Sequence, residues 1–247
     1  MAQQKEGTIT YERTAQMRIN MPGREQNSDQ PQIRTDKFEL AFANNQSLWK
    51  QAEVENEDNE DNNNGGVHVQ MIIGGTDDVL YNNFTASKKT ELRVVFDKKF
   101  IVDDSIHSLN WKMGYETKTI LNHVCRKATS TNTSKRTMMN INNGVMERKE
   151  INDTSAITAW FATDMPVAAG PAEFQGQLPG VILALDVNNG RMVYKAISIS
   201  PKADIASIKE PSGKKHYTPE EFKKEREKLM DEMQRNNSGG GRQIRIN

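Results

Sequence analysis

The sequence predicts a mostly antiparallel β protein that folds as a single domain over residues 1–247. Alternation of apolar and polar residues with a period of two dominates the chain, as it does in half-buried strands. Two Asn-Gly pairs, Asn143-Gly144 and Asn189-Gly190, lie between such stretches, and this dipeptide favours the positive φ angles of tight hairpins. Helical segments that would supply the crossovers of parallel strands are lacking. Successive hairpins are therefore the predicted architecture.

Three stretches show the alternation most clearly. Each places an apolar side chain at every second position: Leu92, Val94 and Phe96; Leu109, Trp111 and Met113; and Val181, Leu183, Leu185 and Val187. Residues two apart on a strand share one face of the sheet, so each stretch predicts a strand with one apolar face.

Composition narrows the classes of partner. Lys and Arg number 33 and Asp and Glu number 33, so the chain has no net charge and offers no basic surface for nucleic acid. Hydrophobic residues make up 35% and charged residues 27%, which is typical of a globular protein. No apolar stretch approaches the roughly 18 residues of a transmembrane helix, so the chain is not expected to span a membrane.

Two stretches are too polar to fold on their own, residues 22–32 and 53–66, and both are predicted to be flexible loops. The second is acidic and rich in Asn, but it lacks the residue spacing of a helix-loop-helix calcium site.

A C-terminal helix is predicted over residues 218–235. Thr218 is suited to the N-cap, Pro219 to the first helical position and Glu221 to the third. Apolar residues follow at helical spacing, so the helix is expected to be amphipathic. Residues 236–247 are predicted to form a tail.

Motifs of known catalytic and metal sites are absent from the sequence, which contains no HExxH, CxxC or GxSxG. We therefore expect no enzymatic activity and no cofactor. His123 and Cys125 leave one alternative open, because on a strand both would lie on the same face and, with a methionine, would suit copper or zinc. The other interpretation is that Cys125, the single cysteine, is a small buried hydrophobe.

The densest motif extends from Ala159 to Leu183 and combines aromatic residues with prolines and glycines that specify one loop shape. Such a loop either closes the core or presents a ligand or partner surface. The candidate surface comprises Trp160, Phe161, Pro166, Gly170, Pro171, Phe174, Leu178, Pro179 and Gly180.

Within this stretch, Gln177-Leu178-Pro179-Gly180-Val181-Ile182 resembles the motif that names the GLPGLI family of the Bacteroidota. A second segment resembles the family's Trp…Ile-Gly-Tyr-x-Cys-x-Lys-Ala stretch through Trp111, Lys118, Ile120, Cys125, Lys127 and Ala128. The likeness covers most of residues 7–235. Two positions depart from the pattern, because Gln177 stands for the family's leading glycine and Asn122-His123 stands for its Gly-Tyr.

The resemblance implies a fold and a class of function. The family is similar to the bowl-like N-terminal domain of type II peptide N-glycosidases, which accompanies catalysis without performing it. That likeness implies a curved open antiparallel sheet or half-barrel, and a non-catalytic binding or assembly module. The expected partner is a lipid chain or other hydrophobic ligand, a peptide, or an outer-membrane transporter. Met1-Ala2-Gln3-Gln4 is similar to a mature N-terminus left by a signal peptide, so we expect the periplasm or cell envelope.

Overall fold

The computed structural model describes residues 4–17, 32–52, 77–142 and 145–238. The strands are β1 Gly7–Met17, β2 Gln32–Ala43, β3 Gln46–Gln51, β4 Val79–Asn83, β5 Lys88–Val95, β6 Lys98–Ser105, β7 Lys112–Ile120, β8 His123–Asn142, β9 Val145–Ala162, β10 Ile182–Val187, β11 Met192–Ser200 and β12 His216–Tyr217. One α-helix, α1, follows at Pro219–Ser238, and short 3₁₀ turns occur at Ala172–Phe174 and Ile205–Ser207.

All twelve described strands belong to one sheet, in the order β12-β6-β5-β4-β3-β2-β1-β11-β10-β9-β8-β7. Every pairing is antiparallel except that of β12, which runs parallel to β6. Within the described part of the chain, the outer strands β7 and β12 each pair on one side, so the sheet is open. The predicted mainly β fold with an open antiparallel sheet and a C-terminal helix is confirmed.

Tight turns join many of the neighbouring strands. Asn44 and Asn45 adopt φ angles of 53° and 58° between β2 and β3, and Asn189 adopts 51° between β10 and β11. Asparagine tolerates this left-handed region better than most residues do. Leu121 also adopts a positive φ, 47°, between β7 and β8, although leucine is not a residue that predicts a left-handed turn. The predicted turn at residues 143–144 lies outside the described residues.

Two predicted strands begin or end elsewhere than the alternation indicated. Strand β5 ends at Val95, and Phe96 stands in the following turn with φ 54°. Leu109 and Trp111 precede β7. The Leu109 amide donates to the loop residue Gln177 and the Trp111 amide donates to the Leu109 carbonyl, while the Trp111 indole also donates to Gln177. Side-chain alternation does not distinguish an extended segment tied to a loop from one paired in a sheet.

The main core lies on one face of the sheet, which we call the core face. Its buried side chains come from the central strands and include Ile9, Tyr11, Leu40, Phe42, Trp49, Ala159, Phe161, Leu185 and Tyr194. The Trp49 ring packs among the rings of Tyr11, Phe38 and Tyr194, at centroid distances of 5.3, 5.0 and 6.0 Å. Aromatic side chains from β1, β2, β3 and β11 thus meet at one point on this face.

A smaller cluster occupies the opposite face. Ile208, from the segment after β11, packs on Ala41, Ala43 and Tyr81. The same segment is held to β5 by a hydrogen bond of 2.7 Å from the Thr90 hydroxyl to the Glu210 carboxylate. This connection carries the chain across the sheet to its edge, where β12 pairs with β6.

The helix α1 docks at that edge. Phe222 packs on the Phe100 ring of β6 at 5.4 Å. Thr218 and Glu221 form the expected reciprocal cap, with backbone-to-side-chain bonds of 2.9 and 3.3 Å. Within the described residues, no helix is long and apolar enough to cross a membrane. The predicted loop at 53–66 and most of the one at 22–32 lie outside the described residues, although β2 begins at Gln32.

Gly180 and Gly190 allow a matched test of why the chain needs glycine. A Cβ on Gly180 would collide with the carbonyl oxygen of Ala162, whereas one on Gly190 would meet open space, 3.9 Å from Gln16 Nε2. Gly190 instead has a positive φ of 91°. We expect Gly190→Ala to cost about 1–2 kcal/mol and Gly180→Ala about 3 kcal/mol or more, because backbone must move. Urea unfolding of both variants gives the comparison, and an equal or smaller cost at Gly180 would contradict the close-approach explanation.

Candidate functional site

The connection between β9 and β10, residues 163–181, folds back over the core face, and we call it the covering loop. Its apolar side chains are almost wholly buried: Met165, Val167, Ala169, Phe174, Leu178 and Val181. Backbone hydrogen bonds tie it down, including Val181 N to Met165 O at 3.1 Å and Ile182 N to Ala169 O at 3.0 Å. The loop therefore fills the core along most of its length.

The candidate surface residues are distributed between interior and exterior. Phe161, Gly170, Pro171, Phe174, Leu178 and Gly180 are buried, Pro166 and Pro179 are exposed, and Trp160 is half-buried. The structure does not bring these nine residues together on one accessible surface. Those that pack together do so as part of the core.

Trp160 lies on the opposite face of the sheet, away from the covering loop. The Lys118 ammonium stands 4.3 Å from its ring centroid and that of Lys127 stands 5.9 Å away. Burial against this surface lowers the pKa of Lys118. Since Lys127 also pairs with Glu116 at 3.0 Å, the Trp160 ring is already covered by neighbours of this chain.

A hollow of about 250 Å³ lies on the core face, next to the tip of the covering loop, and we call it the core-face hollow. Its lining residues are Arg13, Arg34, Phe38, Trp49, Gln51, Asp78, Val79, Leu80, Glu91, Arg93, Ala172, Glu173 and Tyr194. Phe38, Trp49 and Tyr194 supply aromatic surface, and charged side chains stand around it. Ala172 and Glu173, at the tip of the covering loop, form the wall that faces the sheet.

Ion pairs hold the basic side chains of one wall. Arg13 Nη2 lies 2.6 Å from Asp36 Oδ2, and Arg34 Nε lies 2.9 Å from Asp36 Oδ1. Burial alone would raise the pKa of Asp36, but hydrogen bonds from the two arginines hold it below its usual value. The Arg13 guanidinium also lies 4.8 Å from the Phe38 ring centroid, so it covers one side of the aromatic surface.

The wall formed by β4 and β5 is paired in the same way. Arg93 lies 3.5 Å from Asp78 and 3.4 Å from Glu91. Glu91 also receives Lys89 at 3.4 Å. Each arginine that lines the hollow therefore already has a carboxylate partner within the chain.

Glu173 differs from the other lining carboxylates. Within the described residues, no basic side chain forms an ion pair with it. Its side chain is open to solvent through the mouth of the hollow, but the surrounding walls displace enough water to raise its pKa. The pKa of Tyr194 is raised to about 12, first by its own burial and then by the nearby Glu173 charge.

Two glutamines fix the tip that presents Glu173. The buried Gln175 accepts a hydrogen bond of 2.6 Å from Ser47 and donates one of 3.2 Å to the carbonyl of Ala172. Gln177 donates to the Glu173 carbonyl at 3.0 Å. Ala172 itself has φ 48°, a strained conformation for a residue with a Cβ, which persists only where surrounding contacts enforce it.

Sequence reasoning did not name the charged lining residues or the two glutamines as part of a site. The charged residues lie on separate strands, and only the strand register brings them together. The available signal was a pair of glutamines flanking Gly176, close to Glu173, in a mostly apolar loop. Of the residues that were named, Pro171 and Phe174 immediately flank the tip formed by Ala172 and Glu173.

The geometry at His123 and Cys125 favours packing over metal binding. His123 Nδ1 lies 2.8 Å from Asp164 Oδ2, and Cys125 donates a 3.5 Å hydrogen bond to the His123 carbonyl. The thiol is fully buried, and burial raises its pKa to about 11, so it is protonated at neutral pH. Within the described part of the chain, no group of three or more His, Cys, Asp or Glu side chains is placed to hold a metal ion.

Comparison with known proteins gives two similarities. A family model described as a protein of unknown function (Porph_ging) matches residues 111–184, less than half of the chain. The crystal structure of PNGF-II in space group C2 is similar in fold, with a TM-score of 0.55 and 17% sequence identity over 91% of this chain. The match covers 33% of PNGF-II, so this chain corresponds to about a third of that protein. No curated protein matches the sequence, and the GLPGLI assignment stays a prediction.

The burial of Cys125 predicts slow thiol chemistry. We expect a thiol reagent to label the native protein at pH 8 at least about a thousandfold more slowly than the urea-unfolded chain, because reaction requires opening of the fold. Stability should fall as the pH rises from the ordinary cysteine pKa of about 8.5 towards the folded-state value of about 11. Cys125→Ala should lose this alkaline dependence, and rapid native labelling would contradict the buried position.

Gln177 should stabilise the segment before β7. Its side-chain oxygen accepts hydrogen bonds from Leu109 N at 3.0 Å and Trp111 Nε1 at 2.9 Å. We expect Gln177→Ala to cost about 1–3 kcal/mol, since two donors lose their acceptor. Hydrogen exchange should show faster exchange of the Leu109 amide, whereas exchange of amides in β1 should change only by the global loss of stability. Unaltered protection at Leu109 would show that the side chain is not what orders this segment.

Proposed function

We propose that the protein is a non-catalytic binding module whose core-face hollow receives a polypeptide segment of a partner protein. The observation that carries this proposal is an aromatic floor surrounded by arginines that are already neutralised within the chain. Such a lining offers apolar contact in the middle and hydrogen-bonding groups around it. Binding sites that fix orientation and specificity have this combination.

The chemistry of the walls favours a polypeptide over a lipid chain. An acyl chain has no polar group along its length, so its entry would desolvate the arginines and carboxylates without giving them new partners. A peptide supplies carbonyl and amide groups that can replace the lost water. A lipid or other hydrophobic ligand is therefore the less favoured occupant.

The size of the hollow favours an anchor residue of a larger partner over a whole small ligand. Pockets that enclose whole small ligands commonly measure about 300–1,000 Å³, and this one measures about 250 Å³. A single large side chain inserted into an aromatic pocket is the usual anchor of a protein interface. The partner proposed on the family resemblance is an envelope protein, such as the periplasmic part of an outer-membrane transporter, and the proposed location is the periplasm.

Peptides selected from a phage-displayed heptapeptide library provide the test, with a pair of variants on one strand. Gln51 lies at the end of β3 and lines the hollow, while Lys50 lies beside it on the opposite face with its side chain 41% exposed. We expect Gln51→Trp to weaken binding of the selected peptides by about tenfold or more because it fills the hollow. Lys50→Trp should bind as the parent protein does.

Equal binding by the two tryptophan variants would overturn the assignment of the hollow as the site. Thermal unfolding of both variants provides the control for folding, since neither Gln51 nor Lys50 belongs to the main core. Selection of no peptide by the parent protein would overturn the peptide class.

A further inference from the structure

We infer that the anchor received by the core-face hollow is a positively charged side chain, lysine or arginine, which pairs with Glu173 above the aromatic floor. This inference rests on the proposed function and names the chemistry of the residue that enters. It follows from the charge that remains after pairing within the hollow, the rigidity of the tip that carries Glu173, and the arrangement of the aromatic rings.

Among the described residues, the charges that face the hollow leave one carboxylate, Glu173, without an ion-pair partner. Strand β1 contributes Arg13, β2 contributes Arg34 and Asp36, β4 contributes Asp78, β5 contributes Lys89, Glu91 and Arg93, β11 contributes Tyr194 and the covering loop contributes Glu173. The four basic groups all pair with Asp36, Asp78 or Glu91, at 2.6–3.5 Å. A cation that enters this site meets Glu173 without displacing an existing pair.

The tip holds Glu173 in place before any ligand arrives. Hydrogen bonds from the Gln175 and Gln177 side chains reach the carbonyls of Ala172 and Glu173, and the strained φ of Ala172 shows that the surroundings enforce this backbone. These bonds fix the backbone that carries Glu173, so less conformational freedom is lost when its carboxylate binds a cation. The raised pKa of Glu173 is consistent with a charge that lacks a partner in a partly dry site.

The aromatic rings complete a site for a cation. Guanidinium and ammonium groups bind the faces of aromatic rings, most strongly that of tryptophan. Arg13 already covers the Phe38 ring at 4.8 Å, and Phe38 stacks on Trp49 at 5.0 Å, so these rings hold one cation of the chain itself and an entering cation pairs first with Glu173. An acidic side chain would be repelled by Glu173 and by the negative faces of the same rings.

Small amide probes test the anchor directly. NMR titration of the labelled full chain would compare Nα-acetyl-lysine methylamide with the norleucine and glutamate analogues, which share its backbone. We expect the lysine probe to shift resonances of residues around the hollow and to bind about fivefold or more tightly than the norleucine probe, a ratio that corresponds to about 1 kcal/mol. The glutamate probe should bind most weakly.

Two variants separate the role of Glu173 from a general loss of acidity. Glu173→Gln should remove the preference for lysine over norleucine, whereas Glu116→Gln, on the Trp160 side of the sheet, should retain it. Affinity for the lysine probe should also fall as the pH drops through the raised pKa of Glu173, because protonation removes the negative charge. Affinity for the norleucine probe should not follow that pH dependence.

The outcomes distinguish this inference from the proposed function. Equal binding of the lysine and norleucine probes, or a preference unaffected by Glu173→Gln, overturns the cationic anchor while the hollow stays a binding site. Tightest binding of the glutamate probe also overturns it. If no probe shifts resonances around the hollow, the anchor inference fails, and the Gln51→Trp and Lys50→Trp comparison decides whether the peptide site fails as well.

Discussion

The covering loop is the contact on which the rest of this structure depends. A sheet of twelve strands has two faces, and an apolar face must be buried against another layer. In this chain, most of that layer is irregular backbone rather than a helix. Proline and glycine allow such a segment to follow the sheet surface, and Gly180 permits its backbone to approach the Ala162 carbonyl closely. The packing of Met165, Phe174 and Leu178 supplies the apolar burial that a helix provides in other folds.

A loop that serves as a core layer must also satisfy its own polar backbone, since buried carbonyl and amide groups require hydrogen bonds. Gln175 and Gln177 have this role, because both donate to carbonyls of the loop, while Gln175 also accepts from Ser47 in β3 and Gln177 accepts from Trp111 just before β7. The same two residues hold the tip at Glu173. The hydrogen bonds that satisfy the polar backbone of the loop are therefore the ones that fix the tip of the candidate site. This role gives a structural reason for a glutamine at position 177.

The fold was largely predictable from the sequence, and the site was not. Period-two alternation, the turn at Asn189-Gly190 and the cap at Thr218 are local signals, and the structure has a strand, a turn or a helix cap at or next to each. The hollow depends on register between strands, including strands far apart in sequence, since the pairing of β1 with β11 places Arg13 beside Tyr194. No local pattern encodes that juxtaposition. The prolines, glycines and aromatic residues between Ala159 and Leu183 form a distinctive local pattern, but most of them serve to pack the covering loop on the core.

Similarity to about a third of PNGF-II at 17% identity shows a common fold, and function has to be argued from the site. Among the residues that the structure describes, the hollow is lined by ion pairs, aromatic rings and Glu173, a carboxylate without an ion-pair partner. A nucleophile would need an adjacent base, and the buried, protonated Cys125 is instead hydrogen-bonded to a backbone carbonyl. The ion pairs hold the arginine side chains against the walls, so these side chains do not fill the centre of the hollow. In the binding role that we propose, specificity comes from Glu173, which has no ion-pair partner among the described residues.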